Sequence, residues 1–112
     1  MSYIQVDIDT APIIDWASFH RVFAEAFGFP DFYGGNMDAW IDCLSALDVP
    51  EEGMTTVHAP EGGVVVLELS NTRDFSMRCA EIYLALIEGA ALVNHRRLEM
   101  ALPPVLCLSF QY

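Results

Sequence analysis

Lysine is absent from the sequence, and positive charge of any kind is scarce. The 112 residues include five basic side chains, all arginine, against sixteen acidic ones, and the formal net charge at pH 7 is -11. Nucleic-acid-binding proteins neutralise phosphates with clustered lysines and arginines, and anionic membrane surfaces attract the same side chains. The composition therefore argues against both as partners and favours a basic protein, since opposite fields accelerate encounter. Acidity that serves only solubility is the alternative.

Cysteines are few and show no pairing pattern. The sequence has three cysteines, Cys43, Cys79 and Cys107. Their number is odd, none belongs to a Cys-x-x-Cys pair, and each lies in an apolar part of the sequence. We therefore expect three reduced core thiols in a cytoplasmic protein. The long apolar stretch 79–93 contains two glutamates and is shorter than the roughly 20 apolar residues of a membrane span. The opening residues, MSYIQVDID, have neither a basic nor an apolar segment, so we expect no signal peptide.

Motifs for catalysis and for metal or nucleotide binding are also missing. The sequence has no Gly-x-Ser-x-Gly, no His-Glu-x-x-His and no glycine-rich phosphate-binding loop. His20, His58 and His95 are scattered without metal-ligand spacing, and we expect each on the surface. Two carboxylates one turn apart could act as an acid–base pair, but only in a walled pocket that separates their pKa values. We therefore expect no enzyme, no catalytic residues, no metal and no cofactor.

Hydrophobic periodicity and capping residues predict three strands and three main helices. Asp15 and Asn36 are good N-caps for the first two helices, and Gly28 is a good C-cap for the first. Pro50 should end the second helix. The predicted elements are strand 3–8, helix 16–27, helix 37–49, strand 64–69, a helix that begins at about residue 72 or 75 and ends at 94, and strand 105–110.

This order, β-α-α-β-α-β, predicts an α/β fold with a small three-stranded parallel sheet, because helical connections favour parallel pairing. With 54% apolar residues and no linker, residues 1–112 should form a single domain. The strand 64–69 is nearly all apolar, which is typical of a strand covered on both faces. The third helix is apolar almost all round and should be deeply packed. Segment 50–63 should be a loop with a short extended piece at 55–58.

The second predicted helix carries two aspartates one turn apart, Asp38 and Asp42, with no base at i±4. Like charges at this spacing cost an isolated helix roughly 0.2–0.5 kcal/mol. Asp38 lies in the first turn, where the helix dipole stabilises a negative charge. Asp42 lies beyond the reach of the dipole. Either both are ordinary solvated residues, or Asp42 is an uncompensated carboxylate that binds a cation on another molecule.

The loop before this helix combines adjacent aromatic residues with two glycines. Phe32 and Tyr33 precede Gly34 and Gly35, and glycine allows a backbone to approach another surface closely. Aromatic side chains beside unpaired acids are typical of a protein–protein hot spot. We expect one of the two aromatic residues to turn into the core instead.

Residues 30–44, PDFYGGNMDAWIDCL, resemble the signature of the barstar family, intracellular inhibitors of secreted barnase-type ribonucleases that prefer guanine. Methionine at position 37 is a conservative change from this pattern. The matching residues are Pro30, Asp31, Tyr33, Gly34, Asn36, Asp38, Ala39, Asp42, Cys43 and Leu44.

The resemblance implies that the second helix and its preceding loop fill the active site of a basic ribonuclease. Asp42 would take the place of the scissile phosphate, with Asp38 and, by helical register, Glu88 as flanking acids. We also expect a protein that is monomeric when free and has no cofactor. The loop contacts would come from Phe32, Tyr33, Gly34 and Asn36.

Three positions depart from the family pattern. Phe32 stands where tyrosine is frequent, and Ile41 and Leu47 stand where tryptophan can occur. These departures leave open an alternative function, a non-inhibitory barstar-like interaction domain that binds another basic partner or itself.

Overall fold

The computed structural model describes residues 2–112 and has the predicted α/β fold. Its three strands pair in parallel in the order β1-β2-β3, so the predicted order of elements, β-α-α-β-α-β, is confirmed. The last helical segment is divided in two. The elements are β1 (Tyr3–Asp9), α1 (Trp16–Phe27), α2 (Met37–Ser45), a 3-10 turn (Pro50–Glu52), β2 (Val64–Ser70), α3 (Thr72–Arg78), α4 (Ala80–Glu99) and β3 (Leu106–Phe110).

The ends of the first two helices are set by the capping residues that the sequence indicated. Asp15 forms a capping box with Ser18 at the start of α1, and Gly28 ends α1 in the left-handed region, with φ of 65°. Asn36 caps α2 through a bond of 2.8 Å from the backbone N–H of Ala39 to its Oδ1 atom. Helix α2 is nevertheless shorter than predicted, because it ends at Ser45 and not at Pro50.

A single third helix was a wrong prediction, since the backbone leaves helical geometry at Cys79, where φ is -131° and ψ is 50°. The preceding residue explains where the break occurs. The Arg78 guanidinium donates to the backbone carbonyls of Thr10 and Ile13 in the β1–α1 connection. These bonds tie the end of α3 to that connection, and α4 begins after the break, at Ala80.

The core lies on one face of the sheet, under α1, α2 and α4. The opposite face is largely polar, with Asp7, Glu68 and Ser109 in register across the three strands. The β2 residues on that face, which include Val64 and Val66, are only half-buried. The prediction that β2 is covered on both faces is therefore wrong. The inward-facing strand residues are Ile4, Val6, Ile8, Val65, Leu67, Leu69, Leu106 and Leu108.

The prediction that the third helix is deeply packed, which was based on its apolar composition, is wrong for α4. Leu84, Leu92 and Leu98 each expose more than half of their surface, while Leu86 and Val93 are buried. The helix therefore has one face in the core and one solvent-exposed face that is unusually rich in leucine.

Several smaller predictions also need correction. All three cysteines are free, but only Cys43 is buried; Cys79 is half-buried and Cys107 is exposed, because it lies on the outer face of β3. His20 is buried and not at the surface. Segment 55–58 contains no strand. Within the part of the chain that the structure describes, no helix combines the length and apolar character needed to cross a membrane.

Candidate protein-binding site

Close packing of α4 against α2 builds the candidate site. A Cβ atom added at Gly89 would lie 2.7 Å from Met37 Cε and 2.9 Å from Trp40 Cζ3, and Trp40 is fully buried. Only glycine lets the two helices approach this closely. Their solvent-facing sides consequently meet in one surface with a shallow groove of about 260 Å³. The groove is lined by Asp38, Ile41, Leu92, His95, Arg96 and Glu99.

Two of the three predicted acidic contacts are exposed and have no ion-pair partner among residues 2–112. Asp38 is exposed in the first turn of α2 and forms no ion pair or side-chain hydrogen bond with residues 2–112. Glu88 is exposed on α4 one turn before Leu92, so helical periodicity places it on the same side of that helix as the groove. Both carboxylates are therefore accessible to a cation on another molecule.

The third acid, Asp42, is not uncompensated, and that prediction is wrong. Arg96 Nη1 donates to Asp42 Oδ1 at 2.5 Å, and the two side chains are 46% and 54% exposed. The arginine comes from the last turn of α4, far away in the sequence, so a search for bases at i±4 could not find it. The carboxylate remains half-exposed, and no other hydrogen bond to it occurs within residues 2–112.

The next residue, Arg97, makes a much more extensive contact between the same two regions. Its guanidinium is buried and binds both carboxylate oxygens of Asp48 at 2.8 Å, together with the carbonyls of Ser45 and Pro103. The hydrogen bonds from Arg97 lower the pKa of Asp48. This cluster fixes the end of α2 to the end of α4 and thereby positions Asp42 and Arg96. The sequence showed the three consecutive basic residues 95–97 but not their partners.

The loop before α2 is anchored by a buried histidine. The hydroxyl of Tyr33 lies 2.5 Å from His20 Nδ1, and burial lowers the pKa of His20. Burial, with a smaller contribution from the Cys43 thiol, raises the pKa of Tyr33. His20 follows Trp16 by one helical turn, at the edge of the apolar stripe of α1, and that spacing was the available signal for its burial.

The two aromatic residues of the loop therefore have different roles. Tyr33 is half-buried and packs on Phe29 with ring centroids 4.6 Å apart, whereas Phe32 is 75% exposed. The expectation that one of the pair turns inward is confirmed. Phe32 lies exposed on the loop that leads into α2.

Two glycines and the N-cap residue shape the turn between the loop and α2. Gly35 has φ of 66°, a conformation that favours glycine, whereas Gly34 has no such requirement and faces only Asn36 and Ala39. Asn36 is exposed while its side chain caps α2. The loop thus reaches the helix through a fixed turn. Across residues 2–112, no group of three or more His, Cys, Asp or Glu side chains is arranged to hold a metal ion.

The sequence was also compared with known proteins. No curated protein matches it significantly. The family model described as Barstar (barnase inhibitor) matches residues 3–102, which include the loop, α2 and α4. With this match over most of its length, the chain belongs to the barstar family.

Proposed function

We propose that this protein is a cytoplasmic inhibitor of a basic, secreted, guanyl-preferring ribonuclease and is not itself an enzyme. The observation that carries the proposal is the rigid corner formed by loop 30–36 and α2. It presents Phe32, Asp38 and the half-exposed Asp42 to solvent, in a chain of net charge -11. Membership of the barstar family supports the same function.

The chemistry of inhibition follows from charge and geometry. A ribonuclease active site must stabilise a negatively charged phosphate, and a carboxylate held at the same place can bind the same cationic donors. Removing both charges from water is favourable only when the donors match the carboxylate closely. The N-cap of Asn36 and the Tyr33–His20 bond hold the corner in shape before binding, which lowers the entropy cost of association.

In this proposal the remaining predicted contact residues have separate roles. Asp38 and Glu88 extend the negative field over the groove between α2 and α4, and Phe32 supplies exposed aromatic surface at the edge. Gly34 allows the partner's backbone to come close to the loop. Asn36 and Tyr33 act mainly through the hydrogen bonds that fix the loop.

Two observations favour the alternative, a barstar-like domain that binds another basic partner or a second copy of itself. Arg96 already neutralises Asp42 in the free protein, and Leu84 and Leu92 flank Glu88 with exposed apolar surface. A surface of that kind could bind a partner that is not a ribonuclease. An assay of ribonuclease inhibition separates the two functions.

The decisive assay measures inhibition against a panel of basic guanyl-preferring ribonucleases. We expect stoichiometric inhibition of at least one of them, and competition by a guanosine monophosphate that occupies the same active site. Association should slow as salt rises, because the Debye length falls from about 30 Å at 0.01 M to about 10 Å at 0.1 M. Failure to inhibit any enzyme, or a symmetric dimer that buries α2, would favour the alternative.

Substitution of Gly34 by alanine tests how closely the partner approaches the loop. The added Cβ would lie 3.4 Å from Asn36 Nδ2 and 3.6 Å from Ala39 Cβ, which are ordinary contacts, so the free protein should keep its unfolding midpoint. Overpacking at a tight interface costs roughly 1–3 kcal/mol, so we expect ribonuclease binding to weaken by about tenfold. Gly35→Ala is the contrasting variant, because its φ of 66° predicts a loss of stability as well. Unchanged affinity in Gly34→Ala would exclude a close approach at this position.

A further inference from the structure

We propose that Arg96 is a built-in competitor for Asp42: it occupies the carboxylate that the ribonuclease must bind, so that it limits affinity and sets which enzymes are inhibited. The inference rests on the proposed function. It names a specificity-determining residue outside loop 30–36 and α2, on the last turn of α4.

Arg96 is held only weakly in the free protein. Within residues 2–112 its guanidinium makes one side-chain hydrogen bond, from Nη1 to Asp42 Oδ1, and almost half of its side chain is exposed. An exposed ion pair of this kind contributes up to about fivefold to an equilibrium constant, equivalent to about 1 kcal/mol. A partner with well-placed arginines can displace it.

The neighbouring residue, Arg97, connects α2 to α4 independently of Arg96. Arg97 is buried and makes four hydrogen bonds, two of them to Asp48, so the connection between α2 and α4 does not depend on Arg96. Substitution of Arg96 should therefore leave the position of Asp42 on α2 unchanged. The two adjacent arginines therefore have different roles: Arg97 connects α2 to α4, and Arg96 pairs with the carboxylate that is proposed to bind the ribonuclease.

In the complex with the ribonuclease, Arg96 either keeps its position or moves. If Arg96 stays beside Asp42, it repels the cations of the ribonuclease; if it swings away, its ion pair is lost. Either course subtracts from affinity. A ribonuclease that brings a carboxylate within reach of the displaced guanidinium recovers part of that loss by exchanging ion pairs. Arg96 therefore favours enzymes whose cationic cleft has an acid beside it and disfavours those without one.

The test compares Arg96→Gln with Arg73→Gln across the ribonuclease panel. Arg73 is exposed on α3, so its substitution changes the net charge by the same amount without touching Asp42. We expect Arg96→Gln to lower the dissociation constant by about fivefold, with the largest gain for enzymes that the natural chain inhibits weakly. Arg73→Gln should alter only the salt-dependent association rate. In an Asp42→Asn background, the gain from Arg96→Gln should be smaller, because no ion pair remains to be displaced and only the repulsion of the enzyme's cations is relieved.

The outcomes separate the inference from the function on which it rests. If the natural chain inhibits a ribonuclease and Arg96→Gln binds equally or more weakly, the inference is overturned while the function stands. If only Arg96→Gln inhibits, both are supported. If neither chain inhibits any enzyme in the panel, the proposed function fails and the inference fails with it.

Discussion

Replacement of Asp42 by alanine should weaken binding of a cognate ribonuclease by at least about 30-fold, or about 2 kcal/mol, the scale of a hydrogen bond to a charged group. The substitution has two effects of the same sign. It removes the carboxylate that would receive the enzyme's cationic donors, and it leaves the Arg96 guanidinium unpaired beside them. Isothermal titration calorimetry of the natural and substituted chains measures the change directly.

The matched control is Asp7→Asn, which also removes one negative charge. Asp7 lies on the polar outer face of the sheet, away from the core face that α2 covers, so its substitution should slow association slightly and leave dissociation unchanged. The free energy of unfolding of Asp42→Ala should fall by no more than about 1 kcal/mol, because the ion pair is half-exposed. An equal dissociation constant for Asp42→Ala and the natural chain would remove Asp42 from the site.

The parts of the fold that the sequence predicted well are those determined locally. The N-caps at Asp15 and Asn36 and the C-cap at Gly28 each depend on a few adjacent residues, and all three stand where expected. Alternating and apolar strand patterns located β1, β2 and β3 to within a residue or two. The exposed corner with Phe32 and Asp38 likewise followed from a short, continuous motif.

The features that the sequence did not predict depend on contacts between distant segments. The break at Cys79 follows from Arg78 binding carbonyls near the end of β1, and neither helix propensity nor periodicity reports such a bond. The Asp42–Arg96 pair joins α2 to the end of α4 in the same way. A polar residue in an apolar stripe, as at His20, needs a partner from elsewhere, here Tyr33.

Replacement of Arg97 by alanine should destabilise the free protein by about 2–4 kcal/mol, a large share of the roughly 5–15 kcal/mol that stabilises a domain. The guanidinium is buried, and its loss leaves the Asp48 carboxylate and the carbonyls of Ser45 and Pro103 without their donors. The midpoint of thermal unfolding should fall by more than about 10 °C. Denaturant titration followed by circular dichroism gives the change in free energy.

Two variants show whether the geometry or only the charge of Arg97 matters. Arg97→Lys keeps the charge but cannot bind both oxygens of Asp48 and two carbonyls with one planar group, so it should recover less than half of the lost stability. Arg96→Ala removes a neighbouring arginine with a single exposed bond and should cost less than about 1 kcal/mol. Similar losses for Arg96→Ala and Arg97→Ala would contradict the different roles assigned to them.

Acid pH provides an independent check on the Arg97–Asp48 ion pair. Because Arg97 lowers the pKa of Asp48 in the folded state below its ordinary value of 3.8, the pair stabilises the fold fully only well above that pH. Its contribution decreases as the pH falls through the lowered pKa, where Asp48 becomes protonated in the folded protein too. The stability difference between the natural chain and Arg97→Ala should therefore be largest near neutral pH and smaller in strong acid. Asp9 and Asp15, whose pKa values are lowered by hydrogen bonds elsewhere, affect both chains equally and cancel from this difference. A difference that did not change with pH would mean that Arg97 stabilises the fold through its carbonyl contacts and packing, and not through Asp48.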